Sequence, residues 1–194
     1  MGGRSVSIDP SKFHPINVAD TCAVWNILSS ARLHAAAKEA RCDFCITSFV
    51  RYECLHKPRT SVTQAETELM ARLRKEQQRG GFAAHSCDIG DLQAIGLLES
   101  RKKLGKGELS SIAFAVKINQ SVITDDQKAR RLADSTRAGL AQTTPHLFAW
   151  LMFKRHLGDS DKATVLAEHR ALDGTLGPHL EHAYELAMAC LLNA

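Results

Sequence analysis

An α/β fold around a parallel sheet is predicted by two observations. Short apolar runs alternate with helical patterns along the chain, and two of those runs end on an aspartate that opens the next helix. The runs are Pro-Ile-Asn-Val-Ala over 15–19, which delivers Asp20, and Ser-Val-Ile-Thr over 121–124, which delivers Asp125 and Asp126. Sheets of this kind bind ligands beyond the carboxyl ends of their strands. Acids at two such ends are therefore a functional clue, although acids there also cap helices in proteins without catalysis.

Taken in order, the strand over 15–19 leads into a helix over 21–33 with Val24, Ile27, Leu28 and Leu33 inward. A second strand over 42–47 follows, with Ser48 as cap of a helix that carries Phe49, Val50, Glu53 and Cys54 until His56-Lys57-Pro58 stops it. Residues 60–79 read as a long, charged, exposed helix with Leu69 and Leu73 in register, closed by Gly80-Gly81. The helical pattern returns over 86–103 through Ile89, Leu92, Ile95, Leu97 and Leu98. Leu104-Gly105-Lys106-Gly107 breaks it before Glu108 opens a helix to Lys117. The strand over 121–124, a polar helix over 127–137 and a short strand over 140–143 complete the alternation. Three more helical patterns lie near 145–157, 161–172 and 178–192. The expectation is one domain over 1–194, with an α/β core over about 15–143 and a helical extension over about 144–194.

With 194 residues and 44% hydrophobic composition the chain has the material for one sizeable core, and its 24% charged residues are ordinary for a globular protein. The net charge of +4 is a modest excess that helps to hold phosphates without identifying a partner. Basic residues gather at Arg72, Arg74, Lys75 and Arg79, at Arg101, Lys102, Lys103 and Lys106, and at Lys128, Arg130 and Arg131. The last two clusters flank the acidic motifs; a solvated helix face is the plain reading of the first. No signal peptide, lipid anchor or membrane-spanning run is read from the sequence, so a cytoplasmic protein is expected. The six cysteines are expected as thiols, because Cys42-Asp43-Phe44-Cys45 has no second pair at zinc-finger spacing.

Several enzyme classes are excluded. Lys106 is followed by Gly107 where a phosphate-binding loop needs Ser or Thr, and neither G-x-S-x-G nor G-x-G-x-x-G occurs after a strand. None of the nine histidines forms H-E-x-x-H. Asp88 and Asp91, three apart on a predicted helix, read as a solvated face.

Four elements each offer one acid: Asp20 from the first strand end, Glu53 from the second helix, Glu108 from the Gly-Glu helix start and Asp126 beside Asp125. Hard divalent cations prefer such oxygen ligands, and a catalytic site needs them to converge while leaving room for water and phosphate. Glu53 carries extra weight because it sits within the apolar segment Phe49-Val50-Arg51-Tyr52-Glu53-Cys54-Leu55, where a carboxylate needs a partner.

In the motifs Val-Ala-Asp20-Thr-Cys-Ala-Val-Trp, Thr-Ser-Phe-Val-Arg-Tyr-Glu53, Gly107-Glu108-Leu-Ser-Ser-Ile-Ala-Phe-Ala and Val-Ile-Thr124-Asp125-Asp126-Gln-Lys-Ala-Arg130, the chain resembles the PIN-domain ribonucleases, the toxin-like PIN nucleases among them. The resemblance covers roughly 15–143 and rests on the order and spacing of all four motifs. It implies a sheet in the order 3-2-1-4 with a fifth strand, acids converging at one end, one or two Mg²⁺ or Mn²⁺ ions, and endoribonuclease activity. By motif position Asp20, Glu53, Glu108 and Asp126 form the catalytic set. Asp20, Glu108 and Asp126 are implied as metal ligands, with Asp125 as an adjacent member, and Thr21 and Thr124 as groups that orient them. Lys106, Lys128 and Arg130 are candidates for contact with the RNA backbone.

Two features depart from the family pattern: Cys22 replaces the small residue usual after the Asp-Thr start, and residues 144–194 follow the last family strand. The size fits the toxin of a toxin–antitoxin pair, with an antitoxin as partner, and equally a stand-alone RNA-processing or defence nuclease. Homodimerisation is an expectation from the family's habits. The rival reading is a catalytically silent PIN-like module that binds RNA or protein.

Overall fold

The computed structural model describes residues 8–99 and 104–193, with no account of the side chains of 97–99. The chain runs β1 (Ile16–Ala19), α1 (Thr21–Ser29), α2 (Ala31–Glu39), β2 (Asp43–Thr47), α3 (Ser48–Leu55), α4 (Gln64–Gln78), β3 (Ala83–His85), α5 (Ile89–Glu99), α6 (Lys106–Lys117), β4 (Ser121–Ile123), α7 (Gln127–Thr136), β5 (Ala141–Gln142), α8 (Thr144–Phe153), α9 (Asp159–Ala171) and α10 (Gly177–Leu192). The fold is α/β. Five strands pair in parallel in the order β3-β2-β1-β4-β5, with Val18 opposite both Cys45 and Val122.

Strands β1, β2 and β4 are covered on both faces, which is why they read as short apolar runs. On one face Ala19, Ile46 and Ile123 join Ile27, Leu33, Leu73, Phe82 and Phe148. On the other, Val18 and Val122 pack with Leu109, Ile112, Leu132 and Leu140. The helical extension belongs to the first of these layers, since Leu147, Phe148, Leu151, Leu180, Ala183 and Ala187 are buried in the same cluster as α1 and α2. Polar ties reinforce the contact: Arg32 Nε donates to Asp161 Oδ1 at 2.8 Å and Ser30 Oγ donates to Glu168 Oε2 at 2.7 Å. No described helix is long and apolar enough to cross a membrane.

Several boundaries differ from expectation for identifiable reasons. The helix expected over 21–33 is two helices. Ser30 leaves the helical region, its hydroxyl accepts from Leu33 N, and Arg72 donates to the carbonyls of Leu28 and Ser29 that α1 leaves open. Arg72 thus terminates a helix, where a solvated face was expected. Thr47, and not Ser48, caps α3, accepting from Val50 N. The long charged helix starts at Gln64 behind the Thr63/Glu66 capping box and ends at Gln78, followed by Gly80, whose φ of 87° suits glycine. The sheet order and fifth strand that the resemblance implies are present, but the residue pattern did not locate β3: its three residues are all exposed and owe their conformation to pairing with β2. Asp88 and Asp91 are not a solvated face either. Each accepts from the other's backbone N–H at the start of α5, and Lys117 bridges them, with Asp91 buried. Arg101, Lys102 and Lys103 lie outside the described residues.

Candidate functional site

The parallel sheet places β1 beside β4, so the residues that follow both strands meet at one end of the sheet. Asp20 follows β1, is fully buried and caps α1. Its Oδ1 accepts from Ala23 N at 2.8 Å and from Cys22 Sγ at 3.0 Å, while Oδ2 accepts from the Thr124 hydroxyl. Thr124 also accepts from Asp126 N at 3.3 Å, so one hydroxyl joins the two strand ends. Burial pushes the Asp20 carboxyl from 3.8 up to about 7, against its three hydrogen bonds. Burial and the adjoining Asp20 and Asp125 likewise push the Cys22 thiol up, which keeps it a neutral donor.

Glu53, half-buried on α3, accepts from the Thr21 hydroxyl at 2.5 Å and from Gly107 N at 3.1 Å. Glu108 is the third residue of α6 and folds back to accept from Gly105 N at 2.5 Å. A Cβ on Gly105 would lie 3.1 Å from Glu108 Oε2 and 3.9 Å from Glu53 Oε1, so the two carboxylates flank one glycine. A Cβ on Gly107 would lie 2.2 Å from Glu53 Oε2, a clash that explains why the residue before Glu108 has no side chain. The Glu108 carboxyl is raised above the usual range chiefly by burial, with Asp126 and Glu53 adding to the shift and Gly105 N and Lys128 opposing it. Asp126 caps α7 through Oδ1, which accepts from Lys128 N at 2.7 Å and Ala129 N at 2.8 Å.

Asp125 is placed differently. Its Oδ1 accepts from Thr144 N at 2.8 Å, and its Oδ2 from the Thr144 hydroxyl at 2.6 Å and Asn26 Nδ2 at 2.8 Å. Both oxygens are committed to joining α1, the end of β4 and α8, which is the role of a strut.

Comparison of the chain with protein-family models, characterised proteins and solved structures finds no match. Function has to be read from the site itself.

Among the described residues none of the five acids forms an ion pair with Lys, Arg or His. The oxygen donors are of the kind that Mg²⁺ or Mn²⁺ takes, and Asp20 and Glu108 are held where ionisation is unfavourable until a cation offsets it. In kind the residues fit a hard divalent ion. In arrangement they are not a closed cage: among the described residues no three His, Cys, Asp or Glu side chains are gathered tightly enough to hold one. Asp20, Glu53 and Glu108 each satisfy protein donors in this conformation.

The basic candidates are less tightly placed. Lys106 and Lys128 are exposed, and Lys128 lies close enough to Glu108 to lower its pKa. Arg130 is half-buried, and its Nε is shielded from solvent with no hydrogen-bond partner among the described residues.

Sequence reasoning passed over Cys22 as a donor to Asp20, Asn26 and Thr144 as the clamps on Asp125, and Gly107 as the seat of Glu53. It also passed over Ser111, whose hydroxyl donates to Ala19 O at 3.3 Å and draws α6 against β1. Only Gly107 and the Ser-Ser pair carried a signal, as small residues on an otherwise apolar helix face.

Proposed function

We propose that this protein is a PIN-like, metal-dependent endoribonuclease. The observation that carries the reading is that Asp20, Glu53, Glu108 and Asp126, from four separate elements, lie around one end of the sheet with no ion pair to any of them among the described residues. Acids gathered with no ion pair among the described residues cost stability that a purely structural role does not explain. Asp20, Glu108 and Asp126 would hold Mg²⁺ or Mn²⁺, which supplies a water of lowered pKa and stabilises charge on the scissile phosphate.

The chain's own residues do the positioning. Thr124 fixes one oxygen of Asp20 while Ala23 N and Cys22 fix the other, and Thr21 holds Glu53 beside Gly107. Lys106, Lys128 and Arg130 offset backbone charge on RNA, which makes binding salt-dependent. One observation favours the silent-module alternative: the acids do not converge as a ready cage.

A mixed single-stranded RNA pool incubated with protein in Mg²⁺ or Mn²⁺, with EDTA controls and the Asp20→Asn and Asp126→Asn variants, decides between them. Metal-dependent cleavage lost in both variants supports the nuclease. Cleavage unchanged in the variants, or absent under every metal condition, removes it.

A further inference from the structure

A cleft of about 210 Å³ opens between α1, the start of α4 and the loop joining α9 to α10. We propose that it is a nucleobase pocket that selects guanine in the strand the enzyme cuts, a reading that rests on the nuclease assignment above. The cleft is smaller than the roughly 300–1,000 Å³ taken by drug-sized ligands, which suits one ring system.

Its position ties it to the site. Trp25 and Asn26 line it, and each stands four residues, about 6 Å along the helix, beyond Thr21 and Cys22, which hold Glu53 and Asp20. Asn26 itself donates to Asp125. Trp25 is partly exposed and lines the cleft, and aromatic side chains are what unstacked bases of single-stranded RNA pack against.

The opposite wall is held still. Gly174 lies flat on the His169 ring, where a Cβ would come within 2.3 Å, and Leu176 N donates to His169 Nε2 at 3.0 Å. His169 Nδ1 in turn donates to Ser29 Oγ at 2.6 Å, fixing the loop to α1. This wall carries Asp173 and Thr175 toward solvent at the rim. The helical extension thereby acquires a task that the sequence left open.

The polar groups at the rim are mainly acceptors. Asp173 has no described hydrogen-bonding partner for its carboxylate and no described donor reaches Asn26 Oδ1, whereas Glu66 is engaged by Thr63 N and by Arg59. Guanine offers two adjacent donors, its ring N–H and its amino group, which one carboxylate accepts side by side. Uracil offers a single ring N–H between two carbonyls that would face these acceptors.

The probe is guanosine against uridine, read by tryptophan fluorescence in EDTA. The chain has two tryptophans, so the Trp150→Phe protein leaves Trp25 as reporter. Saturable quenching by guanosine is expected with a dissociation constant on the order of 1 mM, at least about fivefold tighter than for uridine. Asp173→Asn should erase that preference without lowering Tm, because asparagine tolerates the left-handed φ of 58° at this position. Equal quenching by both nucleosides, or a preference unchanged in Asp173→Asn, overturns the pocket. With metal and cleavage absent, the result is independent of the nuclease test. RNA cut without guanine preference also overturns the pocket while leaving the nuclease standing, whereas guanosine bound by a protein that cuts nothing upholds the pocket alone.

Discussion

Replacing Asp20 with asparagine should make the metal-free protein more stable while abolishing the proposed RNA cleavage. The carboxyl is fully buried and its pKa is pushed from 3.8 to about 7 by burial. Three pKa units at roughly 1.4 kcal/mol each place the cost of ionised Asp20 at about 4 kcal/mol above pH 7. The sign follows from linkage: a carboxyl whose folded pKa is raised costs nothing below pH 3.8, and its cost grows until pH 7. Asparagine keeps the acceptor for Ala23 N and Cys22 Sγ, but its amide must be met by a rotated Thr124 hydroxyl, a loss of about 1–2 kcal/mol. The net gain is therefore about 2–3 kcal/mol at pH 8, or roughly 4–12 °C in Tm for a chain of this size.

The assay is thermal unfolding in EDTA at pH 8 and at pH 4.5, followed by addition of millimolar Mg²⁺ at pH 8. The variant should melt higher at pH 8, and the gap should shrink at pH 4.5. Mg²⁺ should raise the wild-type Tm and leave the variant unmoved, because a cation that binds only the folded state stabilises by mass action. A variant that melts below the wild type at pH 8 would refute the reasoning: Asp20 would then be a helix cap whose charge the fold has already satisfied.

Three further outcomes are expected. Gly107→Ala forces a Cβ to within 2.2 Å of Glu53 Oε2, so it should cost about 1–3 kcal/mol and at least about tenfold in RNA cleavage, read by denaturant melts and by the RNA assay. Asp125→Asn turns an amide N–H₂ toward the donors of Thr144 and Asn26, and should lower stability by about 1–3 kcal/mol in the same melts where Asp20→Asn raises it. His34, His146 and His169 have pKa values lowered chiefly by burial, so the unfolded chain binds more protons below pH 6.5. In the Asp20→Asn background denaturant stability should hold above pH 6.5 and fall as pH drops below it; a flat profile between pH 7.5 and 5 would contradict the burial of these rings.

Much of the fold was legible because its cause is local. Strands β1, β2 and β4 are buried on both faces and show it as apolar runs, and Asp20 and Asp126 are placed by the strand ends they follow. Strand β3 has no such signature, because its residues are exposed and only the neighbouring β2 holds them extended. The break at Ser30 was equally hidden. Its cause is Arg72 and Glu168, side chains 42 and 138 positions away in sequence, which complete the ends that the serine opens. Charge alone likewise gave no means of separating Arg72, a helix terminator, from a solvated arginine.

The acids show the same limit at finer grain. Asp125 and Asp126 are adjacent and chemically identical, and the sequence assigns both to one cluster. The difference lies in the donors that arrive from elsewhere. Three donors, two of them from Thr144 beyond the last strand, occupy both oxygens of Asp125. Those on Asp126 come from the backbone of its own helix and use one oxygen, leaving Oδ2 with no described partner. A carboxylate saturated by neutral donors gains little from a cation unless burial makes its charge costly, as it does for Asp20, whereas one with an open oxygen and acidic neighbours gains the most. By that criterion Asp126 suits the proposed ligand role and Asp125 that of a strut. Glu108 stands with Asp126, since a single backbone N–H restrains it and both Asp126 and Glu53 raise its pKa. Cation binding at this site should accordingly depend on Asp126 and Glu108 and survive the loss of Asp125, provided the junction between α1 and α8 still folds.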